Sequence, residues 1–426
     1  MVGIRINDDR KELKTMSLEK QINDDLAYTY DAAGAERQVT ALFIHGFLDD
    51  SSVWDDVVAL LPASTAAARF DLAGSGRRDR ASGSYTDASE LSLQRFVADA
   101  ERIIDDLEGP IVIVGQSMGA QVAELAAVSR SERVVGLVLV TPVPVGGTNL
   151  PDEAVAPFRA LGGQGEIQKV VRSQISPGLD DTTLDRLTEV GVRVDPAVVA
   201  RYVDIWNTGD PTQPATSAYE GPVLLVRGGA DGFVTEELIA GAIAPHFAAP
   251  RILVVDGGGH WLHVEFPDQL AQALSEFTAS IGSASGWRQG FGTKSQAAFG
   301  AAFAEDVVLE ASVMLEAVKG RNLVATVMGA ASSIYEKLDF VAETSDGRVT
   351  YLQWKATAFQ GQNFSGVTVL TKDDDGLIEH AAIHHRPLSA ALRFSAELRA
   401  RLDGVIDTSV FLDGETVAAG DLAFVK

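Results

Sequence analysis

The stretch that most constrains the fold of this chain is residues 110–128. Residues 110–114 are apolar and rich in β-branched side chains, which predicts a strand buried on both faces. Residues 120–128 contain strong helix formers with a helical apolar period. Between them lies Gly-Gln-Ser-Met-Gly, residues 115–119. A tight turn between strand and helix needs small residues at both ends, and it lifts the Ser117 hydroxyl above the sheet edge.

This turn predicts a nucleophile. A serine hydroxyl attacks a carbonyl carbon only when a base takes its proton, and an acid must orient that base. The amino-terminal end of the following helix points at any negative charge that forms beside Ser117. Gly-x-Ser-x-Gly also occurs by chance in loops, but the flanking strand and helix favour the functional interpretation here.

Composition limits the fold class and the partners. The 426 residues suit two domains, and 46% hydrophobic residues allow large cores. The absence of cysteine excludes disulfides, thiolate metal sites and a cysteine nucleophile. A net charge of −24 argues against nucleic acid or an anionic membrane as a partner. No apolar run is long enough to span a bilayer, and residues 1–20 lack the apolar segment of a signal peptide, so we expect a cytoplasmic protein.

Strands and helices alternate in the first part of the chain. Strands are predicted at residues 26–31, 39–45, 67–71, 110–114 and 134–140, and an amphipathic helix at residues 91–107. Ser51 or Ser52 is expected to cap a helix that begins near Val53. The alternation predicts an α/β fold with a doubly wound, mostly parallel sheet.

The alternation stops at Thr141 and resumes near residue 222. Residues 142–218 offer helix-like segments without a comparable strand, so we expect a cap insertion over the carboxyl ends of the strands. Further strands at 222–227 and 251–256 and helices at 236–243 and 266–281 complete the series. We therefore predict a core over residues 26–141 and 219–281, preceded by a leader, residues 1–25.

A flexible junction of small residues at 281–286 is the predicted domain boundary. Beyond it, helices are predicted at 294–303, 321–337 and 389–402, and strands at 338–343, 349–358, 364–371 and 377–386. Ser389 is expected to cap the last helix. Helices followed by an antiparallel meander predict an α+β domain over residues 287–402. Residues 403–426 are predicted to be an acidic tail with one strand, residues 408–412.

The chain offers few candidate bases, since it has only seven histidines. His260 lies on a glycine loop just past the carboxyl end of a predicted strand, where the catalytic groups of α/β sheets gather. We therefore predict that His260 is the base. His246 and His263 are expected to be surface or packing residues. His45, at another strand end, either lines the site or packs.

The orienting acid is expected after a strand as well. Asp231 follows the strand at 222–227 and lies between Ser117 and His260, in the chain order typical of this architecture. Asp256 is the rival acid, but it precedes His260 too closely on the same strand end to face it easily.

Two amides and three aromatic side chains complete the predicted site. The backbone amides of Phe47 and Met118 are the expected oxyanion donors. Trp54, Trp206 and Trp261 are candidates for lining a substrate pocket, although aromatic residues this close to a core usually belong to it.

These motifs together resemble the α/β-hydrolase superfamily over residues 26–280. They are His-Gly-Phe at 45–47, the glycine turn at 71–77, Gly-Gln-Ser-Met-Gly, Gly-Gly-Ala-Asp-Gly at 228–232 and Gly-Gly-Gly-His-Trp at 257–261. The resemblance implies an eight-stranded sheet, a helical cap near 142–218 and the triad Ser117–Asp231–His260. Members that hydrolyse epoxides or haloalkanes carry aspartate at the nucleophile position, so Ser117 argues against both activities. The loop His-Gly-Phe is similar to that of small esterases, cofactor-free haloperoxidases or perhydrolases, and C–C bond hydrolases, and differs from the His-Gly-Gly-Gly of some lipases.

The carboxy-terminal part is similar to the SnoaL-like branch of the NTF2-like superfamily over residues 285–402. The motifs are residues 303–310, 319–321, 375–378 and 386–388, with Trp354. This resemblance implies a cone with a pocket; some relatives are isomerases or cyclases that use an Asp–His pair, others bind ligands and others only dimerise. The ionisable candidates are Asp306, His380, His384 and His385. Neighbours on a strand point to opposite faces, so at most one of His384 and His385 faces inward.

The sequence therefore predicts a serine hydrolase that cleaves small-molecule carboxylic esters, with neither a cofactor nor a metal. The carboxy-terminal domain is predicted to serve assembly, including a homodimer, or ligand binding. Two alternatives stay open: a C–C bond hydrolase or perhydrolase/haloperoxidase-type enzyme with the same triad, and a non-catalytic binding protein.

Overall fold

The computed structural model describes residues 17–33, 39–85, 87–346, 348–373 and 376–412. The chain divides into two compact units, of which the first ends at Thr278 and the second begins at Ala279. The division lies just before residues 281–286, where the sequence predicts a boundary. Each unit has its own sheet and its own hydrophobic core.

An eight-stranded sheet forms the centre of the first unit, in the order β1-β2-β4-β3-β5-β6-β7-β8. Its strands are β1 Ser17–Gln21, β2 Ala27–Asp31, β3 Val39–Ile44, β4 Thr65–Phe70, β5 Ile111–Gln116, β6 Val134–Val140, β7 Val223–Gly228 and β8 Arg251–Val255. Neighbouring strands from β4 to β8 run parallel, whereas β2 is antiparallel to both β1 and β4. The predicted α/β fold with a mostly parallel sheet is confirmed.

The central strands are those with the most continuous apolar sequence. Every residue of β3, β5 and β7 is buried. Helices cover both faces of a parallel sheet, so its inner strands have apolar side chains on both sides. The carboxyl ends of these three strands and of β8 lie at one edge of the sheet, and the loops that follow them carry the candidate site.

Helices of the first unit alternate with the strands and fill the predicted insertion. They are α1 Asp55–Val58, α2 Leu93–Asp106, α3 Met118–Ser129, α4 Asp152–Arg159, α5 Gly165–Ile175, α6 Asp181–Gly191, α7 Pro196–Thr208, α8 Glu236–Leu238, α9 Leu262–Glu265 and the start of α10 Pro267–Thr293, whose later residues belong to the second unit. Residues 142–218 are all described and contain α4 to α7 without a strand. A short π-helical turn at Ile239–Ile243 continues α8.

Three local predictions for this unit are wrong. The predicted leader, residues 1–25, contains β1, which pairs with β2. Most residues of β1 are exposed, and its sequence has no apolar alternation that would predict a strand. Backbone hydrogen bonds to β2 stabilise β1 instead. Asp50 caps the helical turn Ser51–Trp54, because its carboxylate accepts the Ser52 amide, so neither Ser51 nor Ser52 is the cap. Residues 281–286, predicted to be a flexible junction, lie within helix α10.

The second unit contains a six-stranded sheet in the order β10-β9-β14-β13-β12-β11. Its strands are β9 Phe303–Ala311, β10 Val318–Lys319, β11 Tyr335–Asp346, β12 Val349–Ala358, β13 Gln362–Lys372 and β14 Ile378–Arg386. Within the part of this unit that the structure describes, β9 and β14 pair in parallel and the other neighbouring strands are antiparallel. The helices are α11 Gln296–Ala302, α12 Arg321–Ile334 and α13 Leu388–Leu402. The mixed sheet with separate helices fits the predicted α+β class, while the NTF2-like cone stays a prediction.

Two predictions at the end of the second unit are wrong. Helix α13 begins at Leu388 after Pro387, and no side chain caps it, so Ser389 has no capping role. The fixed φ of proline suits the residue that precedes a helix. Residues 408–412, predicted to be a strand, contain the 3₁₀ turn Thr408–Val410, which the Asp407 carboxylate caps by accepting the Ser409 amide.

Among the described residues, no helix combines the length and the apolar character needed to cross a membrane. That the protein is cytoplasmic stays a prediction. Residues 1–16 of the predicted leader and 413–426 of the predicted tail lie outside the described residues.

Candidate active site

Ser117 lies in the sharp turn between β5 and α3, as the motif predicts. Its φ of 52° and ψ of −116° are unusual for a residue with a side chain, and such a conformation costs on the order of 1–3 kcal/mol. Two glycines make the turn sterically feasible. A Cβ on Gly115 would lie 2.4 Å from the Gly119 carbonyl oxygen, and one on Gly119 would lie 2.5 Å from the Ile44 carbonyl oxygen. Strand, helix and neighbouring strand therefore approach each other only because these positions are glycine.

The structure brings Ser117, His260 and Asp231 together from the ends of three different strands. His260 Nε2 lies 3.0 Å from Ser117 Oγ, and His260 Nδ1 lies 2.9 Å from Asp231 Oδ2. All three residues are buried. Asp256, the rival acid, is exposed. The arrangement suits a base that accepts the serine proton while an acid holds its ring.

The Asp231 carboxylate is fixed by its own turn. Its Oδ1 accepts the amides of Phe233 at 2.8 Å and Val234 at 3.0 Å, which leaves Oδ2 for His260. Burial alone would raise the pKa of Asp231, but the nearby His260 and these hydrogen bonds outweigh burial and lower it below its usual value. The carboxylate therefore stays ionised, and its Oδ2 accepts a hydrogen bond from Nδ1–H of the imidazole.

The end of β5, the residue after β6 and a cap helix hold the backbone of His260. The His260 carbonyl oxygen accepts Thr141 Oγ1 at 3.0 Å and Gln116 Nε2 at 3.2 Å. Its amide donates to the carbonyl oxygen of Ile175, the last residue of cap helix α5, at 2.8 Å. The end of a cap helix is thus part of the support of the candidate base.

Glu265 ties the same loop to the cap a second time. Its Oε2 accepts the Gly259 amide at 2.7 Å, and its Oε1 accepts the Gly178 amide at 2.9 Å. Burial raises the pKa of Glu265, although both hydrogen bonds act in the opposite direction. None of the sequence motifs indicates Glu265, since one acidic residue on a short helix is ordinarily a surface residue.

The predicted oxyanion donors flank Ser117. Met118 is the first residue of α3, and Phe47 lies on the loop after β3. Within the described part of the chain, neither amide donates a hydrogen bond to another protein group. A Cβ on Gly46 would lie 2.1 Å from Gln116 Oε1, so the loop carrying Phe47 packs directly on the end of the nucleophile strand. The geometry leaves both donors available for a substrate oxygen.

His45 proves to be a packing residue. Its Nε2 accepts the Leu72 amide at 3.0 Å, and its Nδ1 lies 2.9 Å from the Gly46 carbonyl oxygen, so the neutral ring carries its proton on Nδ1. It is fully buried and does not line the cavity beside Ser117. Its hydrogen bonds shape the loop that carries Phe47.

A cavity opens above Ser117 between the loops and the cap. Trp206 and Trp261 line it, and aromatic contacts join Trp206 to Phe47, Phe158 and Phe233. Its mainly apolar walls suit the acyl or alcohol part of a small substrate.

Trp54 is not part of this cavity, contrary to the prediction. Its ring is fully buried, and its centre lies 5.1 Å from the centre of the Phe43 ring and 4.6 Å from that of the His263 ring. His263 is a packing residue, and burial lowers its pKa to about 3. His246, predicted like His263 to be a surface or packing residue, pairs with Glu124 at 2.7 Å, which raises its pKa.

The ionisable candidates of the second unit do not converge. Asp306 and His384 are exposed, and His380 pairs with Glu310 at 3.3 Å. Of these four, His385 alone lines an apolar cavity, where its Nε2 lies 3.0 Å from Tyr335 Oη. Burial lowers the pKa of His385 to about 4, so its ring is neutral near pH 7.

Comparison with known sequences identifies one family. The sequence model of the alpha/beta hydrolase family matches residues 41–273, which is more than half of the chain. The matched range includes Ser117, Asp231 and His260.

Two relatives carry activities in their names. The chain is 30% identical over 209 residues to sn-1-specific diacylglycerol lipase ABHD11 of Mus musculus, and the match covers 43% of this chain and 66% of that protein. It is 28% identical over 246 residues to pimeloyl-acyl-carrier-protein methyl ester esterase of Nitrosomonas europaea, covering 55% of this chain and 93% of that protein.

A solved structure has the same fold. The bromoperoxidase from Bacillus anthracis superposes with a TM-score of 0.53 at 16% identity, covering 61% of this chain and 98% of that chain. At this identity the likeness concerns the fold alone, and it supports the architecture of the first unit. The resemblance of the second unit to the SnoaL-like branch stays a prediction.

Proposed function

Because this chain belongs to the alpha/beta hydrolase family, we propose that it cleaves carboxylic esters through an acyl-enzyme formed on Ser117. Its relatives include proteins named as lipases and esterases, which are hydrolases acting on ester bonds. The observation that carries the mechanism is the hydrogen-bonded series Ser117–His260–Asp231 beneath the cavity, with separations of 3.0 and 2.9 Å. The substrate class is a small-molecule ester.

Acylation begins when Ser117 Oγ attacks the ester carbonyl carbon and His260 Nε2 takes its proton. The Asp231 carboxylate stabilises the imidazolium that forms. The amides of Phe47 and Met118 donate to the tetrahedral oxyanion. His260 then protonates the leaving alcohol as the carbon–oxygen bond breaks, which leaves the acyl group on Ser117.

Deacylation repeats the sequence with water. His260 removes a proton from the water that attacks the acyl carbon, and it returns this proton to Ser117 Oγ as the carboxylic acid leaves. Because His260 Nε2 contacts Ser117 Oγ directly, both half-reactions depend on the same imidazole.

The test is turnover of a p-nitrophenyl ester series by the full chain and by Ser117→Ala. Ser173→Ala, at an exposed serine on α5, is the matched control. We expect Ser117→Ala to lose turnover with every ester while Ser173→Ala keeps it. Full esterase activity in Ser117→Ala would refute the mechanism. No turnover by the folded wild-type protein would refute ester cleavage and favour the alternative of C–C bond hydrolysis by the same residues.

We further propose that the second unit is a non-catalytic assembly module that forms a homodimer. Its ionisable candidates do not converge, and apolar side chains are exposed on neighbouring strands β11 and β12. Val341 and Tyr351 are 46% and 41% exposed. An edge and face of this kind suit association with a second copy.

Sedimentation velocity tests the assembly proposal. We expect a dimer that Tyr351→Asp converts to a monomer, because a buried unpaired carboxylate opposes association. Leu18→Asp, which introduces the same charge at an exposed position of the first unit, should leave the dimer intact. A wild-type monomer at all concentrations would overturn the proposal.

A further inference from the structure

Arg172 is a fully buried cation in the cap. It lies on helix α5, and its side chain is 1% exposed. Its Nη1 donates to Asp49 Oδ1 at 3.0 Å, and its Nη2 donates to the carbonyl oxygens of Leu48 at 2.8 Å and Leu187 at 3.3 Å. Leu48 and Asp49 directly follow Phe47. One cap side chain therefore holds the loop that carries an oxyanion donor.

The same group also holds the loop of the base. The second carboxylate oxygen of Asp49 accepts Trp261 Nε1 at 2.8 Å, and the Arg172 guanidinium lies 4.5 Å from the centre of the Trp261 ring. Trp261 follows His260 directly, and its amide donates to Ser176 Oγ just after α5 at 2.7 Å. Arg172, Asp49 and Trp261 form a cluster, here called the cap clamp, that joins the two catalytic loops to the cap.

The charges of the clamp argue for positioning and against anion binding. Asp49 is also 1% exposed, and it neutralises Arg172 at hydrogen-bond distance. A substrate carboxylate here would add a second buried negative charge to a single cation, which is costly. The planar guanidinium matches several acceptors at once, which a lysine ammonium does not.

We propose that Arg172 is a positioning residue for acyl transfer, acting through Asp49 on the Phe47 loop and through Trp261 on the His260 loop. The inference rests on the proposed function of Ser117. Misplacement of catalytic groups by about 1 Å lowers the rate on the order of 100-fold. Because the clamp acts on the reacting groups, its loss lowers kcat equally for short and long acyl chains. A residue that only shapes the cavity changes the chain-length preference instead.

The experiment compares Arg172→Lys, Arg172→Gln and Trp261→Phe in the full chain. Trp261→Phe keeps a ring but removes the N–H that Asp49 accepts. The control is Lys169→Gln on the outer side of the same helix. This substitution breaks the ion pair between Lys169 and Asp185 of α6. Each variant is measured for kcat and KM with p-nitrophenyl acetate, butyrate and octanoate. The rate of labelling by a fluorophosphonate, which reports the reactivity of Ser117 without turnover, is the second readout.

We expect kcat and the labelling rate to fall together, on the order of 10- to 100-fold in Arg172→Gln, less in Arg172→Lys and several-fold in Trp261→Phe. The loss should be the same for all three esters, with KM little changed, and Lys169→Gln should match the wild type. Circular dichroism and Tm identify variants that do not fold. Should both Arg172 variants fail to fold, the labelling rate of Trp261→Phe decides, because Trp261 also lines the cavity and its ester profile reports on shape as well.

Two results would overturn the inference. The first is a chain-length-dependent loss, and the second is an unchanged labelling rate in folded variants. Either result leaves the proposed function standing, provided that the wild type is active and Ser117→Ala is not. A wild type that neither turns over esters nor reacts with the fluorophosphonate defeats the proposed function itself, and the inference with it.

Discussion

Replacing Asp231 with asparagine tests the triad through the tautomer of His260. The aspartate oxygens have divided tasks: Oδ1 accepts the amides of Phe233 and Val234, and Oδ2 faces His260 Nδ1. Asparagine has one oxygen and one NH₂ group. If the asparagine oxygen accepts the two backbone amides, its NH₂ group faces His260 Nδ1. Nδ1 must then accept a hydrogen bond and cannot carry the proton. The imidazole proton moves to Nε2, 3.0 Å from Ser117 Oγ, where it prevents uptake of the serine proton.

The opposite orientation of the new carboxamide is too costly to rescue activity. It would direct the NH₂ group at two backbone amides and leave both without an acceptor. Each unsatisfied buried donor costs about 1–3 kcal/mol, so the productive orientation lies about 2–6 kcal/mol higher. At about 1.36 kcal/mol per factor of ten, kcat should fall between about 30-fold and about 3 × 10⁴-fold. Asp-to-Asn changes in serine-protease triads lower kcat about 10⁴-fold for the same reason.

The assay is kcat for p-nitrophenyl butyrate, with Asp256→Asn as the matched control at the exposed rival acid. The control should retain the wild-type kcat, and both variants should keep the wild-type circular dichroism. If folded Asp231→Asn retains kcat within about ten-fold of the wild type, the two amides do not select the orientation and the reasoning is refuted. Loss of activity in Asp256→Asn instead would move the orienting role to that residue.

Three further predictions concern packing and the cavity. Burial lowers the pKa of His263 from 6.5 to about 3, so between these values the unfolded chain binds more protons than the folded one. The free energy of unfolding should therefore fall by up to about 1.4 kcal/mol per pH unit as the pH decreases through this range. Urea unfolding of His263→Phe should show a weaker dependence of this free energy on pH. Trp206→Ala should shift the preferred p-nitrophenyl ester towards longer acyl chains, whereas Trp54→Phe should leave the preferred chain length unchanged. A shift in Trp54→Phe and none in Trp206→Ala would place Trp54 in the pocket. Gly119→Ala should lower stability by about 1–3 kcal/mol, measured as a fall in Tm, because its Cβ would meet the Ile44 carbonyl oxygen; an unchanged Tm would contradict the steric role of this glycine.

The parallel sheet was predictable because each buried strand is an apolar run followed by a loop with glycine or an ionisable residue. Ser117 follows β5 directly, and Asp231 and His260 lie on the loops after β7 and β8, so the carboxyl ends of three parallel strands bring them together on one sheet edge. Trp54 misled the interpretation, because an aromatic residue near that edge is equally consistent with the core. Its distance from the cavity depends on packing against His263, which no local pattern encodes.

Junctions were harder to predict than cores. Residues 281–286 are small, and small residues suit a flexible linker, yet helix α10 continues through them to Thr293. The reason lies further along the chain, where Trp287 is fully buried against the rings of Phe299 and Phe303. A helix with a large buried side chain beyond a weak segment is stabilised by tertiary packing, which local propensity does not report.

Arg172 shows most clearly what separates a predicted triad from its working geometry. On an amphipathic helix an arginine is expected on the solvent side, since charged residues are rarely buried without a partner. Its partner Asp49 lies 123 residues away, and no spacing rule connects them. Removing the guanidinium leaves Asp49 as an unpaired buried charge, which lowers the free energy of unfolding by about 3–5 kcal/mol. Motifs identify the groups that react, whereas a long-range pair such as this one determines whether those groups meet at the right distance.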